Sequence, residues 1–390
     1  MNIKWCGCIL SLVFYLYACD RNTISDQENQ FSPSPKAVEA REVRTLEIGE
    51  KAPAFHLPGT DGKFYSLSDF EESQVLVIIF TCNHCPTAQA YEERMKDVTR
   101  DYIESGVKVI AISPNSPLSL LHEECGYTDL HDDYEDMIIR ARDQAFNFPY
   151  LYDGDDHGSS LQYGPVATPH AFVFDRERKL RYRGRLDASE KPGSANAEDL
   201  RAAIEAVVAG QSVPEPVTKS FGCSVKWAWI TEWRDRVQEN WENRPVELEI
   251  IDLQGLKDVL DNPTDKLRLI NFWATWCGPC RIEYPEFLVM QRMYGARNFE
   301  FVSVSLDSVE KEQAALKFLQ EVHSPVSNYL CSETNKYQVI EAVDPNWDGA
   351  LPYTLIVEPG GHKYHTHSGT IVTLEVKRAI VDHPLIGRYY

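Results

Sequence analysis

Leu267-Arg268-Leu269-Ile270-Asn271-Phe272, followed by Trp273-Ala274-Thr275-Trp276-Cys277-Gly278-Pro279-Cys280, is the stretch on which the fold turns. A short, mainly apolar segment of this kind reads as a strand buried in the middle of a sheet. A Cys-x-x-Cys comes directly after it, and a helix is predicted from Arg281, with Pro285 inside it. The same order of signals occurs 195 residues earlier. There Val75 to Phe80 is an unbroken apolar run, Thr81-Cys82-Asn83-His84-Cys85-Pro86 follows at once, and Ala88 to Tyr102 reads as a helix.

Working outward, the parallel continues. Val107 to Ile112 and Phe299 to Val304 are the next strands. Thr168-Pro169 and Leu351-Pro352 each precede a strand, Ala171 to Phe174 and Tyr353 to Val357. Turns at Asp175–Arg178 and Pro359–Gly361 lead to closing strands, Leu180 to Tyr182 and His362 to His365. Helices over Glu198 to Val208 and Thr373 to Val381 end the two segments. Strands alternating with helices mean an α/β fold, and the paired final strands make each sheet mixed. The expectation is two tandem domains, each a mixed central sheet flanked by helices.

A redox dithiol needs two cysteines close enough to bond, one of them reactive. A strand that runs into Cys-x-x-Cys at a helix start meets both needs. The helix N-terminus offers unpaired N–H groups and a partial positive charge, which stabilise a thiolate on the first cysteine. The second cysteine, about one helical turn on, then resolves a mixed disulfide. Cys82 and Cys277 are thus the expected attacking thiols, with Cys85 and Cys280 resolving. A cis-proline at Pro169 or Pro352 would set a backbone edge beside each dithiol, with Thr168 and Leu351 on it, for an extended substrate to pair with. His84 can stabilise the neighbouring thiolate and so make the first pair the more oxidising one. Electrons would then pass from Cys277/Cys280 to Cys82/Cys85.

The chain of 390 residues is long for one domain. Its composition, 43% hydrophobic and 25% charged, is globular and excludes a disordered or fibrous chain. A net charge of −20 repels phosphate backbones, so no nucleic-acid partner is expected. Ten cysteines are too few for a disulfide scaffold. The two Cys-x-x-Cys pairs open separate domains and so are not expected to meet on one zinc ion, and no metal or cofactor is expected. Cys125, Cys223 and Cys331 stand singly and read as buried apolar residues, with Cys223 the candidate for a third redox thiol. Trp227, Ile230, Trp233, Val237 and Trp241 recur at helical spacing and predict one helix face that packs against a domain.

At the amino terminus, Lys4 precedes an apolar stretch from Trp5 to Ala18, the size of a signal h-region and short for a membrane span. Leu16-Tyr17-Ala18-Cys19 resembles a bacterial lipobox, which implies lipidation of Cys19 and an extracytoplasmic chain held to a membrane. The polar stretch that follows, with Ser-Pro-Ser-Pro at 32–35, reads as a tether.

Trp276-Cys277-Gly278-Pro279-Cys280 with Pro352 resembles thioredoxin, and the surroundings resemble the extracytoplasmic TlpA-type reductases. Asn271 stands where thioredoxin has a buried Asp. Glu283 matches a TlpA-type Glu, and the resemblance implies that it handles protons for Cys280; a helix-surface role is the alternative. The first segment resembles the AhpC/TSA (redoxin) superfamily, in its peroxiredoxin-like branch. The matching stretches are Cys82-Asn83-His84-Cys85-Pro86, Phe148 to Asp153, Thr168-Pro169-His170 and Gly222 to Trp227. A peroxiredoxin would need Thr and Pro three and seven residues before its reactive cysteine. Counting back from Cys85 gives Cys82 and Ile78.

The resemblances imply two tandem thioredoxin folds. The expected layout is a signal peptide at 1–18, a lipid-anchored tether at 19–44, a peroxiredoxin-like domain at 45–222, a Trp-rich helical linker at 223–245 and a TlpA-like domain at 246–390. The expected function is extracytoplasmic thiol–disulfide exchange through Cys82, Cys85, Cys277 and Cys280, with His84, Glu283 and Trp276 in support. Protein thiols and disulfides would be the partners, and a membrane electron donor could feed the chain. The alternatives are a thiol peroxidase reduced by the second domain, and a metallochaperone-like binding module.

Overall fold

The computed structural model describes residues 31–389. The expected signal peptide and Cys19 lie outside them. A short hairpin, β1 (His56–Pro58) and β2 (Phe64–Ser66), covers the first lobe. The lobe is built from β3 (Val75–Phe80), α1 (Pro86–Tyr102), β4 (Val107–Ser113), α2 (Tyr134–Asp143), β5 (Tyr150–Tyr152), α3 (Ser160–Tyr163), β6 (His170–Phe174), β7 (Leu180–Gly184) and α4 (Glu198–Val208). Its sheet order is β5-β4-β3-β6-β7; the first three strands are parallel, and β6 and β7 run antiparallel.

After α5 (Glu232–Glu242), the second lobe follows with β8 (Glu249–Ile251), α6 (Leu253–Asp261), β9 (Leu267–Trp273), α7 (Gly278–Tyr294), β10 (Phe299–Ser305), α8 (Glu312–Glu321), β11 (Ser327–Cys331), α9 (Lys336–Val343), β12 (Tyr353–Val357), β13 (Lys363–Ser368) and α10 (Thr373–Val381). Its order, β13-β12-β9-β10-β11-β8, repeats the first sheet with β8 added at one edge. All residues of β3 and β9 are buried, as central strands require. Both X-Pro bonds before the antiparallel strands, Thr168-Pro169 and Leu351-Pro352, are cis.

The strands and helices flanking the two motifs fall where the sequence places them. The edge strands β5 and β8, the strand β11 beside β8, and the helices α2, α6, α8 and α9 were not expected. They are short, and several carry mixed burial that leaves little periodic signal. Three expectations are corrected. Ser34 and Lys36, expected in the polar tether, bond to Asp155 in the first lobe. The Trp-bearing segment is not one helix: α5 begins only at Glu232. Trp227 and Trp229 instead stack on each other at 5.3 Å and lean on His157, whose Nε2 accepts from Ala228 N–H. Residues 223–228, expected in the linker, therefore pack on the first lobe. Trp227 does pack against that lobe and Trp241 against the second, but Trp233 is exposed.

The lobes share a core. Leu120 and Cys125, from the loop between β4 and α2, are buried in the cluster that contains Leu288, Met293 and Tyr294 of α7. A side chain at Gly126 would meet the Met293 carbonyl at 2.9 Å, so only glycine permits this approach. Around it, Tyr294 donates to Thr128 O, Arg297 to Gly126 O, and Asp129 pairs with both Arg378 and Arg388. Among the described residues no helix is long and apolar enough to cross a membrane.

Candidate active site: two dithiol centres

The two motifs are held differently, and the position of proline explains why. Proline is tolerated in the first turn of a helix because its missing N–H would be unpaired there. In the second lobe Pro279 lies between the cysteines, so α7 starts at Gly278 and Cys277 caps it. Cys280 N–H donates to Cys277 Sγ at 3.3 Å, and the two sulfurs are joined as a disulfide. In the first lobe Pro86 follows the second cysteine. The helix starts there, and Cys85, not Cys82, is its cap. The expectation of a first cysteine at the helix start thus holds for Cys277 and is corrected for Cys82.

In the first lobe Cys82 and Cys85 are both buried, unbonded to each other, and face the cis-proline loop. Cys82 Sγ lies 3.1 Å from Thr168 Oγ1, and Cys85 Sγ donates to Thr168 O at 3.2 Å. His84 is 2% exposed, which removes the reading of it as a solvated side chain. Its Nδ1 lies 2.5 Å from Asp132 Oδ2. Asp132 also accepts from the N–H groups of Asn83 and His84 and from Asn115 Nδ2.

Burial alone would disfavour charge on both members of this pair. Their mutual attraction overrides it, raising the His84 pKa and holding Asp132 down at about 2. When His84 is protonated, a buried cation stands beside the dithiol. Burial pushes the Cys82 thiol well up, helped by its contact with Cys85. For Cys85, hydrogen bonding from Cys223 and Cys82 and the charge of His84 outweigh burial and hold the thiol well below its ordinary value. Of the two thiols, Cys85 is therefore the more readily ionised.

Asp132 and Asn115 were missed by the sequence reading. Asp132 lies 48 residues beyond His84 on a separate loop, within Leu130-His131-Asp132-Asp133, and no local pattern marks it. Sulfur, nitrogen and oxygen donors of Cys82, His84 and Asp132 lie within 4.8 Å of one another, the one such grouping among the described residues. Both oxygens of Asp132 already accept two hydrogen bonds each, and a metal ligated there would break them. The donor set fits an ion pair better than a metal site. His170 lies outside that grouping and accepts from Val166 N–H at 3.3 Å, with its pKa driven down to about 3 by burial.

In the second centre Cys277 and Cys280 are buried too, but the residues beside them are open. Trp276 is 70% exposed, Ile282 is 80% exposed, and nothing lies within 4 Å of where a side chain at Gly278 would start. Thr275 is fixed by two hydrogen bonds to Asp307, which steadies the loop ahead of Cys277. Leu351 is half-buried and Pro352 buried. Glu283 is 4% exposed, so the helix-surface reading is overturned. It accepts from Ile371 N–H at 2.9 Å and weakly from Asn271 Nδ2, and burial raises its pKa.

The AhpC/TSA family matches residues 48–183 and again 247–362, together well over half of the chain. The chain belongs to the AhpC/TSA family. The Mycobacterium tuberculosis protein named "Putative peroxiredoxin MT2597" is 35% identical over 147 residues, 35% of this chain and 82% of its own length. The thioredoxin-like protein YneN of Bacillus subtilis is 28% identical over 131 residues, 33% of this chain and 71% of its own. The thiol:disulfide interchange protein DsbE homolog of Paracoccus denitrificans is 31% identical over 109 residues, 27% of this chain; the match spans about half, 52%, of its length. A solved structure of an uncharacterized conserved protein from Geobacillus kaustophilus aligns with 49% of this chain and 97% of its own, at 34% identity and a TM-score of 0.42.

Proposed function

We propose that this AhpC/TSA-family chain is an extracytoplasmic thiol–disulfide oxidoreductase with two working dithiols, Cys82/Cys85 and Cys277/Cys280. The observation that carries the reading is shared by both lobes: a Cys-x-x-Cys cysteine caps the helix that follows the central strand. Helix-terminal N–H groups favour a thiolate there. In the second lobe, Cys277 thiolate attacks a protein disulfide and releases one substrate thiol. Cys280 then attacks Cys277 and releases the other, leaving the disulfide on the enzyme. Glu283, buried on this same helix one turn beyond Cys280, takes the Cys280 proton in this reading. The exposed Trp276 and the Leu351–Pro352 edge offer the substrate an apolar landing surface. In the first lobe the thiolate is on Cys85, with Cys82 as its partner. The relatives named as thiol–disulfide proteins favour protein thiols as partners.

The test is reduction of a protein disulfide such as that of insulin by the reduced chain, with and without Cys277→Ser. Full activity in that variant and in Cys85→Ser alike would end the reading. A second reading, thiol peroxidase, is favoured by the peroxiredoxin relative. It lacks the Thr and Pro expected ahead of Cys85, and hydrogen peroxide consumption with a dithiol donor decides it. For location, Cys19→Ala is expected to release the chain from membranes. A variant that still fractionates with membranes at its wild-type mature mass removes the lipid anchor.

A further inference from the structure

The substrate edge of the first lobe is already occupied by the chain itself. Thr168 N–H donates to Cys223 O at 2.9 Å, and Cys223 N–H bonds back to Thr168 O at 3.2 Å. This is a two-way antiparallel bridge on the residue before the cis-proline, where an extended substrate would pair. Gly222 makes the approach possible. Its φ is +135°, and a side chain there would start 2.1 Å from Thr168 O. The bridge sets Cys223 N–H 3.3 Å from Cys85 Sγ, and the Cys223 side chain packs against the Cys82–Cys85 pair. Of the three cysteines, Cys223 alone is partly exposed; Cys82 is 2% and Cys85 0% exposed.

We propose that Cys223 is the exchange sulfur of the first lobe: it forms an internal disulfide with Cys85, and partners enter and leave through the exposed Cys223 rather than through the buried pair. The inference rests on the dithiol reading of this lobe and names the residue through which that chemistry reaches solvent. In the oxidising direction Cys223 gives its proton to Cys85, which it already contacts, and attacks an external disulfide, releasing one thiolate. Cys85 passes its proton to that leaving thiolate and attacks Cys223 Sγ, expelling the second. The external disulfide gains two electrons, one proton that came from Cys223 and one from solvent, and the Cys85–Cys223 bond holds the oxidising equivalent. In reverse, an external dithiol attacks Cys223 Sγ, the accessible sulfur, and Cys85 leaves as thiolate. The lower-pKa thiol is the better leaving group. Cys85 fits that role, since its thiol is held below the ordinary value, while contact with Cys85 and then burial push that of Cys223 up.

The test uses the full chain with Cys277→Ser and Cys280→Ser, so that only the first lobe reacts. It is oxidised with glutathione disulfide, quenched by alkylation and mapped by peptide mass. A Cys85–Cys223 bridge is expected in this background and again with Cys82→Ser added. Cys223→Ser is expected to slow oxidation by glutathione disulfide at least tenfold. Gly222→Ala keeps every thiol but unseats the bridge, and is expected to remove the Cys85–Cys223 product. Exclusive Cys82–Cys85 bridging, with an unchanged rate in Cys223→Ser, would overturn the proposal and leave the dithiol reading intact. No bridge among the three cysteines would overturn both.

Discussion

The two lobes repeat one sheet order around one motif, yet they bury its chemistry differently. In the second, Trp276 and Ile282 beside the motif are exposed, Glu283 is buried on the helix that Cys277 caps, and buried Asp307 holds Thr275. In the first, the thiols are sealed by the cis-proline loop and by Cys223, and a fully buried His84–Asp132 ion pair stands beside them. The difference begins with the place of one proline, which moves the helix start by three residues, from the first cysteine to the second. It teaches that a Cys-x-x-Cys does not by itself say which cysteine is activated.

Breaking the second centre should have the largest effect. Cys277→Ser is expected to lower insulin-type reduction at least about a thousandfold, the scale typical of removing a nucleophile, while the alkylation rate of Cys85 stays as it was. If both change together, the lobes are one catalytic unit rather than two.

Next in size is Asp132→Asn, which leaves a buried His84 charge unpaired. Losing one member of a buried pair costs roughly 3–5 kcal/mol, and denaturant unfolding should register this, with Glu283→Gln showing no comparable loss. The pH dependence follows from the same pair. Asp132, depressed to about 2 in the folded state, contributes stability above its unfolded value of about 4 that is lost as pH falls toward 2. His84 is raised, so its contribution is complete below about pH 6.5 and is lost as pH rises through its higher folded value. The pair is therefore strongest between about pH 4 and 6.5, and His84→Gln should flatten the profile. A profile equally steep in His84→Gln would show that another group is responsible.

Glu283→Gln sharpens the comparison from the other side. General acid–base groups contribute about 10²–10⁴-fold, and stopped-flow exchange at neutral pH should slow toward the lower end of that range without unfolding the chain. An unchanged rate would leave Glu283 as a buried structural carboxyl. The smallest effect is expected at the seam: Arg378→Ala removes one of two cations from Asp129, and Arg388 remains. Arg378 is 37% exposed, so a loss of about 1 kcal/mol or less is expected in a stability titration.

The sequence by itself determined the repeated strand–motif–helix order, the four Cys-x-x-Cys cysteines and the two prolines that close each site. These are local signals: an apolar run, a fixed spacing, a helix start. It also reached Glu283, through resemblance rather than through any pattern in the residues. Only the tertiary structure decided that Asp132 meets His84, that Cys223 meets Cys85 and that Leu120 and Cys125 belong to the core of the other lobe. Those partners lie 48, 138 and more than 150 residues away in sequence. Periodicity reports which face of an element is apolar, not which distant loop will cover it. The activated thiol was decided at that same level, because it depends on the charge packed beside it as much as on the motif that contains it.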